Sequence, residues 1–194
     1  MGGRSSCIVD SYQDCLDICN NIWGQDHSAQ IYAEECVDGW AEYELEVVKD
    51  KTGECCVVCC IENIDPMGIH TGDSISVSLC QTILPEDFFR MRAMSYRVAK
   101  AIDLEAGSFN VQFAKCHKTG RLVMIEVNAR LSRSSALASK ATGIPIAVVA
   151  TKLALGYSMQ TLKEKFNFKE FDIYEKTDSV AVKLPIFQLE KLWV

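Results

Sequence analysis

Two alternating stretches, at about 108–115 and 121–128, flank the pentapeptide His117-Lys118-Thr119-Gly120-Arg121. A three-residue loop ending in glycine closes a β-hairpin, with the glycine in the left-handed conformation of a bulge. Pairing His117 with Arg121 sets Gln112 opposite Glu126 and Asn110 opposite Asn128. Side chains alternate along a strand, so Gln112, Glu126 and Asn128 share one face, while Val111, Phe113, Ile125 and Val127 take the other. Any fold of this chain must accommodate a sheet that carries a carboxylate and two or three amides in one patch.

Neighbouring segments read as mixed α/β without repeats. Tyr12, Leu16 and Cys19 fit a helix over 11–21. Residues 40–48 alternate as a strand, with Tyr43, Leu45 and Val47 on one face and Glu42, Glu44 and Glu46 on the other, the latter read as a wet strand face. A turn at 50–53 leads to a strand over 55–61, and a further strand runs through Ile75, Val77 and Leu79. A helix opens at Pro85-Glu86-Asp87 and carries the apolar stripe Phe88, Met91, Met94, Val98 and Ile102. After the hairpin, Arg130, Arg133 and Lys140 flank a serine-rich helix start at Ser132–Ser135; helices run to Gly143 and, from Pro145, to about Gly156.

Ten cysteines include the run Cys55-Cys56-Val57-Val58-Cys59-Cys60. Its Cys-x-x-Cys spacing admits a zinc-module reading. Residues three apart in a strand point to opposite faces, which favours free thiols as small core residues in a reducing compartment. The balance of 20 basic and 26 acidic residues, net −6 over 194 residues, argues against nucleic-acid or acidic-membrane partners bound through bulk charge. No apolar run approaches the roughly 20 residues of a membrane helix. The opening residues lack the apolar core of a signal peptide, so the expected location is cytoplasmic, or mitochondrial for a longer parent.

A carboxylate beside amide oxygens supplies hard ligands for magnesium that keeps some waters and borrows phosphate oxygens. Arginines past the strand end suit an anion. A solvated sheet face with surface ion pairs is the alternative.

The segment 62–74, Glu62-Asn63-Ile64-Asp65-Pro66-Met67-Gly68-Ile69-His70-Thr71-Gly72-Asp73-Ser74, resembles the large subunit of carbamoyl-phosphate synthetase. So do Asn110-Val111-Gln112-Phe113-Ala114 and the run from Glu126 through Arg130 and Lys140 to Gly143. The likeness is to the first, carboxyphosphate-forming ATP-grasp half; Asn128-Ala129-Arg130 looks eukaryotic. The resemblance implies an α/β (α+β) fold, the C-terminal portion of an ATP-grasp domain, with a mainly antiparallel sheet flanked by helices. Residues 1–160 would form a partial ATP-grasp domain and 161–194 a tail toward the next domain. It implies ATP as cofactor with Mg²⁺ or Mn²⁺ on Gln112, Glu126 and Asn128. Glu42 would hold the ribose, Glu35 and the backbone at Val37 the adenine, and Gly68, Ile69 and His70 the pocket wall. Arg130 would stabilise bicarbonate or carboxyphosphate. Implied partners are ATP, bicarbonate, a glutaminase subunit or domain and a second ATP-grasp half.

Departures accompany the likeness. Ser5, Ser6 and Cys7 stand where the family's phosphate loop has glycines, and Ile186 replaces an arginine. Side chains there would obstruct the approach of backbone amides to phosphate. A catalytically dead remnant with weak or no nucleotide binding is therefore the competing expectation.

Overall fold

The computed structural model describes residues 7–174 and 179–187; Met1–Ser6, which carry most of the expected phosphate loop, lie outside them. The chain divides into two compact units, the first ending at Cys36 and the second beginning at Val37.

In the first unit, helix α1 (Tyr12–Gln25) starts where Ser11 Oγ accepts from the Asp14 amide at 3.1 Å, an N-cap that satisfies one free donor. None of its residues is buried, so the expected stripe through Tyr12, Leu16 and Cys19 does not form a core face. Beyond it, Asp26 Oδ1 accepts from both the amide and hydroxyl of Ser28.

The second unit is built on a six-stranded antiparallel sheet: β1 (Ala41–Lys49), β2 (Cys55–Asn63), β3 (Ser76–Ser78), β4 (Gly107–Lys115), β5 (Leu122–Asn128) and β6 (Ala181–Lys183). Their spatial order is β5-β4-β1-β2-β3-β6. Helix α2 (Pro85–Ala101) serves one apolar layer, with Phe88 and Met91 joining Leu45, Val47, Phe109, Val111 and Phe113. Helices α3 (Arg133–Thr142), α4 (Ile146–Ala154) and α5 (Met159–Phe166) serve the other, with Leu137, Val149, Leu153, Met159 and Leu162 joining Val48, Cys56, Val58 and Ile61. Burial of such side chains stabilises by about 1.5–3 kcal/mol each. In α2 the buried line is Phe88, Met91, Ser95 and Ala99, while Ile102, expected in the stripe, is the C-cap and is exposed.

The β4–β5 hairpin meets the sequence expectation by another route. Cys116 faces Arg121: Cys116 N donates to Arg121 O, and Gly120 N closes the turn on Cys116 O, both at 2.9 Å. The loop therefore has one residue more than expected, and Lys115 faces Leu122. A bulge between Gln112 and Phe113 on the partner side absorbs the offset and restores Gln112↔Glu126 and Asn110↔Asn128. Ile125 is the residue this leaves over; it is exposed, and Met124 packs into the core instead.

A second bulge corrects the cysteine reading. Glu46 pairs with Cys59 but Val47 with Val57, so alternation changes phase at Val58. Cys56 and Cys59 consequently pack in the same apolar layer rather than on opposite faces. Both thiols are buried and free, and burial pushes each up to about 12. Not every cysteine is unpaired, however. Cys60 and Cys80 form a disulfide, their Cα atoms 5.5 Å apart. The loop carrying Cys80 is held there because Glu62 accepts from the amides of Gln81 and Thr82 at 2.8 and 3.0 Å.

Candidate functional site

One half of the sheet face served by α3 is polar. Glu42, Glu44 and Glu46 project onto it from β1, and all three are at most 2% exposed. The wet strand face expected of them is overturned, because β1 is a central strand and the start of α3 closes over it. Glu44 accepts from Asn63 Nδ2 at 2.9 Å, Asn110 Nδ2 at 2.8 Å and Ser134 Oγ at 2.7 Å. Glu46 accepts from Asn110 Nδ2, Ser132 Oγ and Ser135 Oγ, each at 2.9 Å. Among the described residues no buried side-chain polar atom lacks a partner, which is what makes a carboxylate row tolerable inside a sheet.

Toward the strand ends this network opens into the expected patch. Gln112 and Glu126 are direct cross-strand partners and share a face. Gln112 Nε2 donates to Thr71 Oγ1 at 3.3 Å, and Thr71 Oγ1 donates to Glu42 Oε1 at 2.9 Å. Asn128 Nδ2 donates to Glu126 Oε1 at 2.7 Å, and Arg130 Nη2 donates to Asn128 Oδ1 at 3.2 Å. Glu126 and Arg130 are exposed, Gln112 and Asn128 half-buried. Burial pushes the Glu42 carboxyl up to about 7; the Thr71 hydrogen bond opposes this, and the charges of Glu44 and Glu126 add to it.

Gly68, Ile69 and His70 form an exposed rim leading into the short 3-10 turn Thr71–Asp73. His70 Nδ1 accepts from the Gly72 amide at 3.0 Å, which fixes the ring on the turn. Gly68 has φ +109, and a Cβ there would collide with the Asp38 carboxylate, so only glycine fits. At Gly72 the Cβ space is filled by the Arg133 guanidinium. Val37 opens the second unit, where its carbonyl accepts from the Trp40 amide at 3.1 Å. Glu35 is exposed in the first unit. The second unit thus gathers Glu42, Gln112, Glu126, Asn128 and Arg130 with the rim Gly68–His70.

Sequence reasoning did not find Thr71, Lys183 or the serine clasp. Lys183, on edge strand β6, donates to the Thr71 carbonyl at 2.9 Å. A Glu-x-Glu-x-Glu strand beside a serine-rich helix start was the available signal for the clasp.

The donor set suits a hard cation. One exposed carboxylate and two carboxamides offer oxygen ligands while leaving coordination positions for phosphate oxygens and water. Among the described residues no cluster of three or more His, Cys, Asp or Glu could hold a metal by itself.

The family model described as the carbamoyl-phosphate synthase L chain ATP-binding domain matches residues 1–162. Carbamoyl phosphate synthase large chains are similar throughout: that of Thermotoga petrophila is 48% identical over 192 residues, and that of Pseudomonas putida 45% over 193. Each match covers 98% of this chain but 18% of the relative, so the chain spans about a fifth of their length. Among solved structures, a biotin carboxylase from Campylobacter jejuni gives a TM-score of 0.61 at 20% identity, covering 81% of this chain and 36% of that one. An L-amino acid ligase from Bacillus licheniformis gives 0.62 at 18%, covering 80% and 38%. These share the ATP-grasp fold. By its sheet, its helices and the match over most of its length, the chain belongs to the carbamoyl-phosphate synthase L chain ATP-binding domain family.

Proposed function

We propose that this chain forms the metal- and phosphate-holding part of an ATP-grasp domain that activates bicarbonate with ATP in a carbamoyl phosphate synthase. The observation that carries the reading is the Gln112–Glu126–Asn128 patch, set in register on β4–β5 with Arg130 at its edge. Gln112, Glu126 and Asn128 would hold Mg²⁺ or Mn²⁺, which supplies charge neutralisation for phosphoryl transfer. Glu42 would accept from the ribose hydroxyls, Glu35 and the Val37 backbone would flank adenine, and Gly68, Ile69 and His70 would line the pocket. Arg130 offers a planar donor fork to bicarbonate or carboxyphosphate. In the parent enzyme, residues 1–160 would supply part of this domain, and 161–194, which adds β6 to the edge of the sheet, would lead toward the next domain. A glutaminase component would deliver ammonia and a second ATP-grasp half would phosphorylate carbamate.

The test incubates the chain with ATP, Mg²⁺, bicarbonate and ammonia, and also titrates it with MgATP. Glu126→Gln is expected to abolish Mg²⁺-dependent nucleotide binding without shifting the unfolding midpoint, since Glu126 is exposed. Equal metal dependence in the two proteins would reduce the patch to a solvated sheet face. The substitutions Ser5, Ser6 and Cys7 in the phosphate loop favour a second reading, a remnant without turnover. On that reading bicarbonate-dependent ADP release matches the Glu126→Gln control.

A further inference from the structure

Glu46 is 1% exposed on β1 and has no part in the ligand set above. Its partners Ser132 and Ser135 are the N-cap and N3 residues of α3. They form a capping box of their own: Ser135 N donates to Ser132 Oγ at 3.2 Å, and Ser132 N donates to Ser135 Oγ at 2.9 Å. In the usual box a glutamate at N3 supplies the charge from within the helix. Here N3 is a serine, and the carboxylate comes from the sheet. Glu46 Oε1 takes the Ser132 hydroxyl and Oε2 the Ser135 hydroxyl, both at 2.9 Å. Both oxygens thus lie at the N-terminal end of α3.

This contact joins the start of α3 to β1, just beyond the end of β5. Arg130 lies between Asn128 and that entry, and Arg133, the first residue of α3, sets its guanidinium against Gly72 in the rim of the site. We propose that Glu46 is a positioning residue: by clasping both serines of the α3 capping box it fixes the segment 130–133, and with it the two guanidinium groups, at the anion side of the site. The functional meaning rests on the reading of Arg130 given above, while the clasp is testable without any nucleotide. Glu46→Ala takes the acceptor from Ser132 Oγ, which is half-buried, and from the buried Ser135 Oγ, while Asn110 Nδ2 loses one of its two carboxylates and keeps Glu44. Glu46→Gln keeps one acceptor oxygen for Ser132 and Asn110 and offers an amide to Ser135, whose hydroxyl can rotate to accept.

Deuterium exchange of the full chain, read by peptide mass spectrometry, tests the clasp, with phenylglyoxal labelling of Arg133 as a second readout. In Glu46→Ala, amides of 132–136 should exchange about tenfold faster while those of 107–115 stay unchanged. Arg133 labelling should rise in parallel, and Glu46→Gln should restore both. Should Glu46→Ala fail to fold, the double variant Ser132→Ala/Ser135→Ala opens the clasp from the helix side and should give the same local pattern. Unchanged exchange at 132–136 in either variant overturns the proposal. So does a uniform rise across the sheet with no recovery in Glu46→Gln, which would mark a generic core residue. Because neither readout needs ATP, failure of MgATP binding counts against the functional reading alone.

Discussion

Asp50 joins the β1–β2 turn to the start of α5, and its replacement by alanine should cost about 3 kcal/mol. The carboxylate is 1% exposed and accepts four hydrogen bonds. Oδ1 takes the Thr52 amide at 2.9 Å, the Thr52 hydroxyl at 2.6 Å and the Glu54 amide at 3.0 Å; Oδ2 takes the Met159 amide at 3.0 Å. Thr52 and Glu54 are exposed, so their groups regain water in the variant and contribute little. Met159 is fully buried, and its amide does not. A charged hydrogen bond to a buried amide is worth about 1.5–3 kcal/mol, and loss of the turn contacts adds about 0.5–1. Burial alone would raise the Asp50 pKa, but the hydrogen bonds from Thr52, Met159 and Glu54 outweigh it and hold the carboxyl below its ordinary value. A depressed acid stabilises the fold above the unfolded value near pH 4, and that share is lost as pH falls through the folded value. Urea unfolding followed by circular dichroism should therefore show the full gap between wild type and Asp50→Ala at pH 7, narrowing below about pH 4. A gap under about 0.5 kcal/mol at pH 7, within the range of an ordinary surface change, would refute the reasoning.

Two further outcomes are expected. Burial and the Glu44 charge push Glu46 up to about 7, despite hydrogen bonds from Ser132, Asn110 and Ser135; a raised acid stabilises the fold below its unfolded value, and this share is lost as pH rises through about 7. Wild type should therefore lose more stability between pH 5 and pH 8 than Glu46→Gln, by on the order of 2–3 kcal/mol, and equal losses in urea unfolding would contradict this. Gly68→Ala, at φ +109 against Asp38, should lower stability by about 1–3 kcal/mol and weaken MgATP binding; an unchanged melting point with unchanged affinity would show that the rim accepts a side chain.

What could be read from sequence was local. Alternation and turn chemistry located β4 and β5, and the serine and proline signals located the starts of α3 and α2. The burial of Glu44 and Glu46 was not legible, because their partners Ser134, Ser132 and Ser135 lie 86 to 90 residues away and no periodicity reports which helix end will close over a strand. The same holds for Lys183 and Thr71, 112 residues apart. The phase of Cys59 failed for a different reason: strict alternation assumes an unbroken ladder, and the bulge opposite Glu46 and Val47 breaks it. The pairing of Gln112 with Glu126 survived because two departures of one residue, in the loop and at Ile125, cancelled.

That cancellation leaves β5 with a residue of slack. A single deletion anywhere from Leu122 to Ile125 can be taken up by flattening the bulge, with Glu126 still opposite Gln112. A second deletion finds no reserve and turns Glu126 toward Val111 and Phe113 on the apolar side. One deletion in β5 thus keeps the carboxylate in place even where it removes a core side chain such as Leu122 or Met124, whereas two deletions displace the carboxylate itself.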